Sequence, residues 1–302
     1  MNPEINQNLS IIGVPLDLGA SKRGASLGPD AIRFAGIRKR LENIGYNVQD
    51  EGNIQFKTVE TGMDSTHHKN LETVVEANQV LAEKVDEVMK AGRFPVVIGG
   101  DHSLAMGTIK GVLRNVPNLG VIWFDAHGDI NTGETSPSGN IHGMPVAALL
   151  GRGLEALTSI GGKEYKLKKE NIVYVGSRDL DSGERTTLKE LGIKTFTMHE
   201  IDLLGIRAVM EEAIKIASDG TDGVHVSFDM DVMDPAFAPG TGTIVPGGME
   251  YREAHLSLEL IAKNANLVSV EFVEVNPILD DKNKTAEAAV ALAGSLLGEW
   301  LI

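Results

Sequence analysis

The stretch Val121-Ile122-Trp123-Phe124-Asp125-Ala126-His127-Gly128-Asp129 decides how this chain is read. Four apolar residues lead straight into Asp125, His127 and Asp129, which recur at every second position. In extended chain, side chains at i, i+2 and i+4 point to one side. These three would converge where a buried strand ends, a geometry that suits a divalent cation.

The same chemistry recurs at other strand ends. Val96-Val97-Ile98-Gly99-Gly100-Asp101-His102 offers His102, and Val226-Ser227-Phe228-Asp229-Met230-Asp231 offers Asp229 and Asp231 at i, i+2. Val270-Glu271-Phe272-Val273-Glu274 offers Glu274. An isolated Asp-x-Asp after a strand is usually a turn or a helix cap. Three strand ends of like chemistry argue for metal instead. They supply six ligands: His102, Asp125, His127, Asp129, Asp229 and Asp231. Four carboxylates in one crevice repel one another, and two divalent ions would cancel that repulsion. Asp125 and Asp229 are placed to be shared. Carboxylate oxygen with a minority of imidazole nitrogen suits Mn²⁺, and less strictly Fe²⁺, Co²⁺ or Zn²⁺.

Outward from these motifs, short apolar runs alternate with longer helical patterns. The strands expected are 10–14, 47–50, 95–98, 120–124, 172–175, 194–197, 224–228 and 267–275. The helices expected are 29–44, 71–91, 104–114, 183–191, 206–217, 251–263 and 285–300. Several strands are apolar throughout, as when both faces are covered. The fold class is therefore α/β, three-layered, with a mostly parallel central sheet and helices on both faces. A single domain over residues 1–302 is the simplest organisation, with residues 1–8 a flexible N-terminus and 55–68 a surface loop. Ligands in such sheets bind beyond the carboxyl ends of the strands. The loop 15–27 has glycines but neither G-x-G-x-x-G nor a Walker pattern, so it does not read as a nucleotide site.

The bulk properties narrow the function. Lys and Arg number 28 against 42 Asp and Glu, a net charge of −14. That balance disfavours nucleic acid and anionic membranes and suits a cationic small substrate. With no cysteine, disulfides, thiolate nucleophiles and Cys-ligated metals are excluded. The N-terminus lacks the basic and apolar regions of a signal peptide, so the cytoplasm is expected.

The motifs together carry a family resemblance. Gly99-Gly100-Asp101-His102-Ser103, Asp125-Ala126-His127-Gly128-Asp129, Ser227-Phe228-Asp229-Met230-Asp231 and Glu274-Val275-Asn276-Pro277 resemble the ureohydrolases. Residues 129–132, 136–145 and 239–243 make the chain similar to the arginase branch, of bacterial type. The resemblance runs from about Ile11 to near the C-terminus. It implies hydrolysis of L-arginine to L-ornithine and urea, by a water or hydroxide held between two Mn²⁺ ions per subunit. One ion would be held by His102, Asp125, Asp129 and Asp229, the other by Asp125, His127, Asp229 and Asp231. His142, in a Gly/Ser/Pro-rich loop, would shuttle the proton; an unperturbed histidine already titrates near neutral pH. Glu274 would fix the guanidinium plane by bidentate hydrogen bonding. Asp129 could also accept a proton. Asn131, Ser138 and Asn140 resemble the α-carboxylate site, Asp181 and Glu184 the α-amino site. His127 and Thr243 would line the pocket. Asp181 reads equally as the N-cap of the helix that follows.

The resemblance also implies a homo-trimer or homo-hexamer. An agmatinase or guanidinobutyrase would share the metal site and differ in the amino-acid contacts. A single-metal deacetylase or a non-catalytic homologue fits less well, since all six ligands, His142 and Glu274 are present. The bulky Val232-Met233 pair departs from the small residue expected there. Trp123, His67, His68, His199, His225 and His255 read as packing or surface residues.

Overall fold

Eight parallel strands form one sheet in the order β2-β1-β3-β8-β7-β4-β5-β6. The coordinates are a computed structural model, describing residues 6–59 and 70–300. The strands are β1 (Asn8–Val14), β2 (Asn47–Asn53), β3 (Phe94–Gly99) and β4 (Leu119–Phe124), followed by β5 (Ile172–Ser177), β6 (Lys194–Thr197), β7 (Gly223–Asp229) and β8 (Leu267–Val273). Each coincides with an expected strand to within a few residues. β1 begins at Asn8, inside the terminus expected to be flexible. β8 stops at Val273 because Glu274 turns into the left-handed region at φ 63. His67 and His68, and most of the loop expected at 55–68, lie outside the described residues.

The all-apolar strands are explained by two cores. Ile122 and Phe124 join one cluster, Val121 and Trp123 the other, so alternate residues of one strand serve opposite faces. The first face is covered by α1 (Gly28–Phe34), α2 (Ile37–Asn43), α8 (Met198–Leu204), α9 (Ile206–Ser218), α10 (Tyr251–Asn264) and α11 (Lys284–Leu296). The second is covered by α3 (Leu71–Lys90), α4 (Ala105–Leu113), α5 (Pro145–Leu149), α6 (Glu155–Thr158) and α7 (Ser182–Leu191). The edge strands β2 and β6 are polar and partly exposed, which blunts pairing with other chains.

Helix boundaries depart from expectation in three places. The single helix expected at 29–44 is two, broken at Gly36, whose φ of 90 no helix accommodates. The last helix ends at Leu296 rather than Trp300. Three short helices, α5, α6 and α8, were not expected; the first two are too short to show a period. α8 does carry a start signal, since Thr197 N–H donates to the Glu200 carboxylate at 3.0 Å. No helix among the described residues is long and apolar enough to cross a membrane.

The topology gathers the motif strands. β3, β8, β7 and β4 are adjacent at the centre of the sheet, and their carboxyl ends carry His102, Glu274, Asp229/Asp231 and Asp125/Asp129. Gly100 closes the approach: a Cβ there would lie 1.7 Å from Leu16 O. Its carbonyl accepts Glu274 N–H at 2.8 Å, tying β3 to the end of β8.

Candidate metal centre

Each ligand strand ends in a tight turn that turns its polar side chains inward. His102 and Asp231 lie in 3-10 turns directly after β3 and β7. His127 N–H donates to Asp125 Oδ1 at 2.7 Å and Asp231 N–H to Asp229 Oδ1 at 2.8 Å. Asp129 adopts φ 48, uncommon for a non-glycine residue.

Two ligand sets result. His102, Asp125 and Asp129 each offer a ligand atom within 4.8 Å of the others, and so do Asp125, His127 and Asp231. Asp125 belongs to both: Oδ2 lies 3.1 Å from His102 Nδ1, and Oδ1 lies 3.3 Å from His127 Nδ1. Oxygens of Asp129 and Asp229 stand 3.1 Å from the same His102 nitrogen. His127 Nδ1 also lies 3.2 Å from Asp231 Oδ2. The two oxygens of Asp229 divide differently, one taken by Asp231 N–H and the other facing His102.

The charges fit cations. His102 Nδ1 is buried with no aligned hydrogen-bond partner, though three carboxylate oxygens surround it. Burial and the neighbouring carboxylates Asp231 and Asp125 push the Asp229 carboxyl well above its usual range. Burial and Asp125 push Asp129 up to about 6. Burial opposes charge on His102 and His127, but the carboxylates beside them outweigh it and raise both. Such a cluster resists ionising together, and positive charge at its centre would relieve it. The oxygen-rich donor set with two imidazoles fits Mn²⁺.

His142 lies beside this cluster. Its Nδ1 is 3.1 Å from Glu274 Oε1, which also accepts His102 N–H at 2.8 Å. Burial lowers the His142 pKa, but the Glu274 hydrogen bond and charge win and push it up to about 9. The ring is therefore further from neutrality than the unperturbed value suggested. Glu274 stands behind His142, outside the lining of the adjacent cavity.

That cavity, about 210 Å³, is lined by His127, Asp129, Asn131, Ser138, Asn140, His142, Asp181, Glu184 and Thr243, among others. The expected substrate contacts other than Glu274 thus share one space. Asp181 is the N-cap of α7, its Oδ1 accepting Glu184 N–H in a capping box, while Oδ2 accepts the Asn131 amide at 2.7 Å at the cavity wall. Glu184 is pushed up to about 7 by burial and the Asp129 charge. Thr243 lines the cavity but spends its hydroxyl hydrogen on Asp231 Oδ2, at 2.9 Å. Val232 and Met233 are buried in the core and do not face the cavity.

Some contributors were not singled out from sequence. Trp123 is more than packing: its indole N–H donates to Asp125 Oδ2 at 3.0 Å, and its ring stacks on His102. Its place two residues before Asp125 was the available signal. Asp179, Ser136 and Pro137 also line the cavity. Of the remaining histidines, His225 and His255 are buried and His199 lies at the start of α8.

Comparison with known proteins agrees with this geometry. The sequence model of the arginase family matches residues 7–298. The arginase of Brevibacillus brevis is 58% identical over 298 residues, covering 99% of this chain and 100% of that protein. The native structure of the arginase from Bacillus caldovelox superposes with a TM-score of 0.95 at 55% identity, over 98% of this chain and 99% of that one. The Entamoeba histolytica arginase in complex with L-ornithine gives a TM-score of 0.89 at 34% identity, over 97% and 99%. The chain belongs to the arginase family and is a hydrolase of the guanidino C–N bond.

Proposed function

We propose that this protein hydrolyses L-arginine to L-ornithine and urea with two Mn²⁺ ions. The observation that carries the reading is the pair of ligand sets sharing Asp125 beside a cavity that also holds His142 and Asp181. His102, Asp125, Asp129 and Asp229 would hold one ion; Asp125, His127, Asp229 and Asp231 the other. Two such ions lower the pKa of water and orient it for attack on a resonance-stabilised carbon.

The chain's own groups supply the rest. Asp129 lines the cavity and would place negative charge beside a guanidinium, while Glu274, outside that lining, acts through its contact with His142. His142, charged at neutral pH with Nδ1 held by Glu274, can give its Nε2 proton to the departing amine; water supplies the urea oxygen and the C–N bond breaks. Asn131, Ser138 and Asn140 present neutral donors to an α-carboxylate, and Asp181 and Glu184 face an α-ammonium. The relative solved with L-ornithine supports a product of that shape. The family resemblance supports a homo-trimer or homo-hexamer, which light scattering after gel filtration tests.

Urea release from L-arginine, agmatine and guanidinobutyrate by the Mn²⁺-loaded protein tests the reading. L-arginine is expected to be turned over far faster than the other two. Preferential turnover of agmatine would overturn the substrate and leave the metal centre standing. No turnover of any guanidine would overturn both.

A further inference from the structure

We propose that Glu271 is a positioning residue for the metal centre: through the Ser227 hydroxyl it holds the His102 proton on Nε2, leaving the Nδ1 lone pair for the cation. The inference rests on the metal reading above and concerns residues outside the ligand set.

Glu271 is anomalous as a strand residue. It sits between Val270 and Phe272 and is fully buried. An ionised carboxylate is tolerated there only where its charged form is partnered. The register supplies the partner. Glu271 on β8 lies opposite Ser227 on β7, and Ser227 lies opposite Trp123 on β4. Ser227 precedes Asp229 by two residues and Trp123 precedes Asp125 by two. The row therefore lies one pleat below those carboxylates, on the same face of the sheet. His102 rests on it, its ring stacked on Trp123 with centroids 4.2 Å apart and planes 10° apart.

The hydrogen-bond count determines the tautomer. Ser227 Oγ donates to Glu271 Oε1 at 2.7 Å. A hydroxyl has one hydrogen, so the same oxygen must receive the contact from His102 Nε2, at 2.8 Å. Nε2 then carries the ring proton, and in a neutral imidazole Nδ1 does not. Nδ1 is the atom that three carboxylate oxygens surround at 3.1 Å. Were the hydroxyl reversed, the neutral ring would carry its proton on Nδ1 and lose its ligand atom. His225, two residues before Ser227, adds a second polar neighbour: its Nε2 is 3.5 Å from Glu271 Oε1, and its Nδ1 bonds Ser269. Glu271 does not line the cavity and acts only through Ser227.

The test uses the full chain and two readouts. Ring ¹⁵N NMR of the protein loaded with diamagnetic Zn²⁺ reports whether the His102 Nε2–H is hydrogen-bonded, and equilibrium dialysis against Mn²⁺ reports ions held per subunit. Glu271→Gln keeps the side-chain shape, but its amide can donate to Ser227 and turn the hydroxyl toward His102. Ser227→Ala removes the relay and serves if the first variant does not fold. The parent is expected to show a hydrogen-bonded Nε2–H, and both variants to lose that bond. Their affinity for the His102 ion should fall about 10–100-fold, with the other ion retained. Glu271→Asp, which keeps a carboxylate, should recover part of the loss. An Nε2–H without a hydrogen bond in the loaded parent would overturn the proposal, as would variants that keep both that bond and the ions or lose both ions equally. A parent that binds neither ion overturns the metal reading instead, whereas a parent that binds both ions beside unchanged variants overturns the relay alone.

Discussion

His142 and Glu274 form a pair whose protonation governs the chemistry proposed here. Raised to about 9 by Glu274 against the opposing effect of burial, His142 stays a cation through neutral pH and loses its proton as pH passes that value. Turnover should fall above about pH 9, and His142→Asn should remove that limb while lowering kcat about 10²–10⁴-fold. Metal content, measured by emission spectroscopy, should be unchanged; a loss of metal that tracks the loss of rate would make His142 structural. Asp17 matters for a different reason. Burial raises its pKa, but Gly24 N–H, Arg23 and Ser26 hold the charged form and bring it below the usual carboxylate value. A depressed carboxylate stabilises the fold above its unfolded pKa of about 3.9 and loses that contribution as pH falls through the folded value. Asp17→Asn should cost about 1–3 kcal/mol at neutral pH. Its acid unfolding curve below about pH 4 should be flatter than the parent's; identical curves would show that Asp17 contributes nothing.

At the scale of elements, α7 is where the helix cap and the cavity wall share one residue. Asp181 caps the helix and faces the cavity. Asparagine caps nearly as well as aspartate, whereas alanine costs about 0.5–2 kcal/mol. Asp181→Asn should therefore leave the melting temperature nearly intact and raise KM for L-arginine, while Asp181→Ala should affect both. Unchanged KM in the asparagine variant would confine Asp181 to capping. How much of this was legible differs by element. The strands were readable because unbroken apolar runs have one explanation in a covered sheet. The His/Asp cluster was readable as a candidate ligand set because a period of two survives to the end of a strand. The break at Gly36 was not, since apolar spacing continues across it and only the backbone angle reveals it. Glu274 was expected to lie on the strand; its positive φ has no mark in the residue type. Ser227 and Glu271 look like ordinary and misplaced strand residues until the register sets them side by side.

At the scale of the whole molecule, metal binding and folding should be linked. Four buried carboxylates around two imidazoles form a site that the unfolded chain does not have. Mn²⁺ at about 100 times its Kd should add about 2.7 kcal/mol per site. Scanning calorimetry with and without a chelator should show a clear fall in melting temperature on metal removal; coincident transitions would contradict the site. The sheet order has a kinetic consequence as well. Among the described strands β8 comes last in the chain, yet it lies between β3 and β7 at the centre of the sheet. Val97 meets Glu271 only after a loop of well over half the chain has closed. The sheet therefore cannot be completed by adding strands outward as the ribosome delivers them. A nascent chain stopped before Leu267 would expose the facing edges of β3 and β7 and lack Glu274. Hydrolytic capacity should arise only once β8 has been made, and that unfilled central slot is where a chaperone would find this protein most in need of cover.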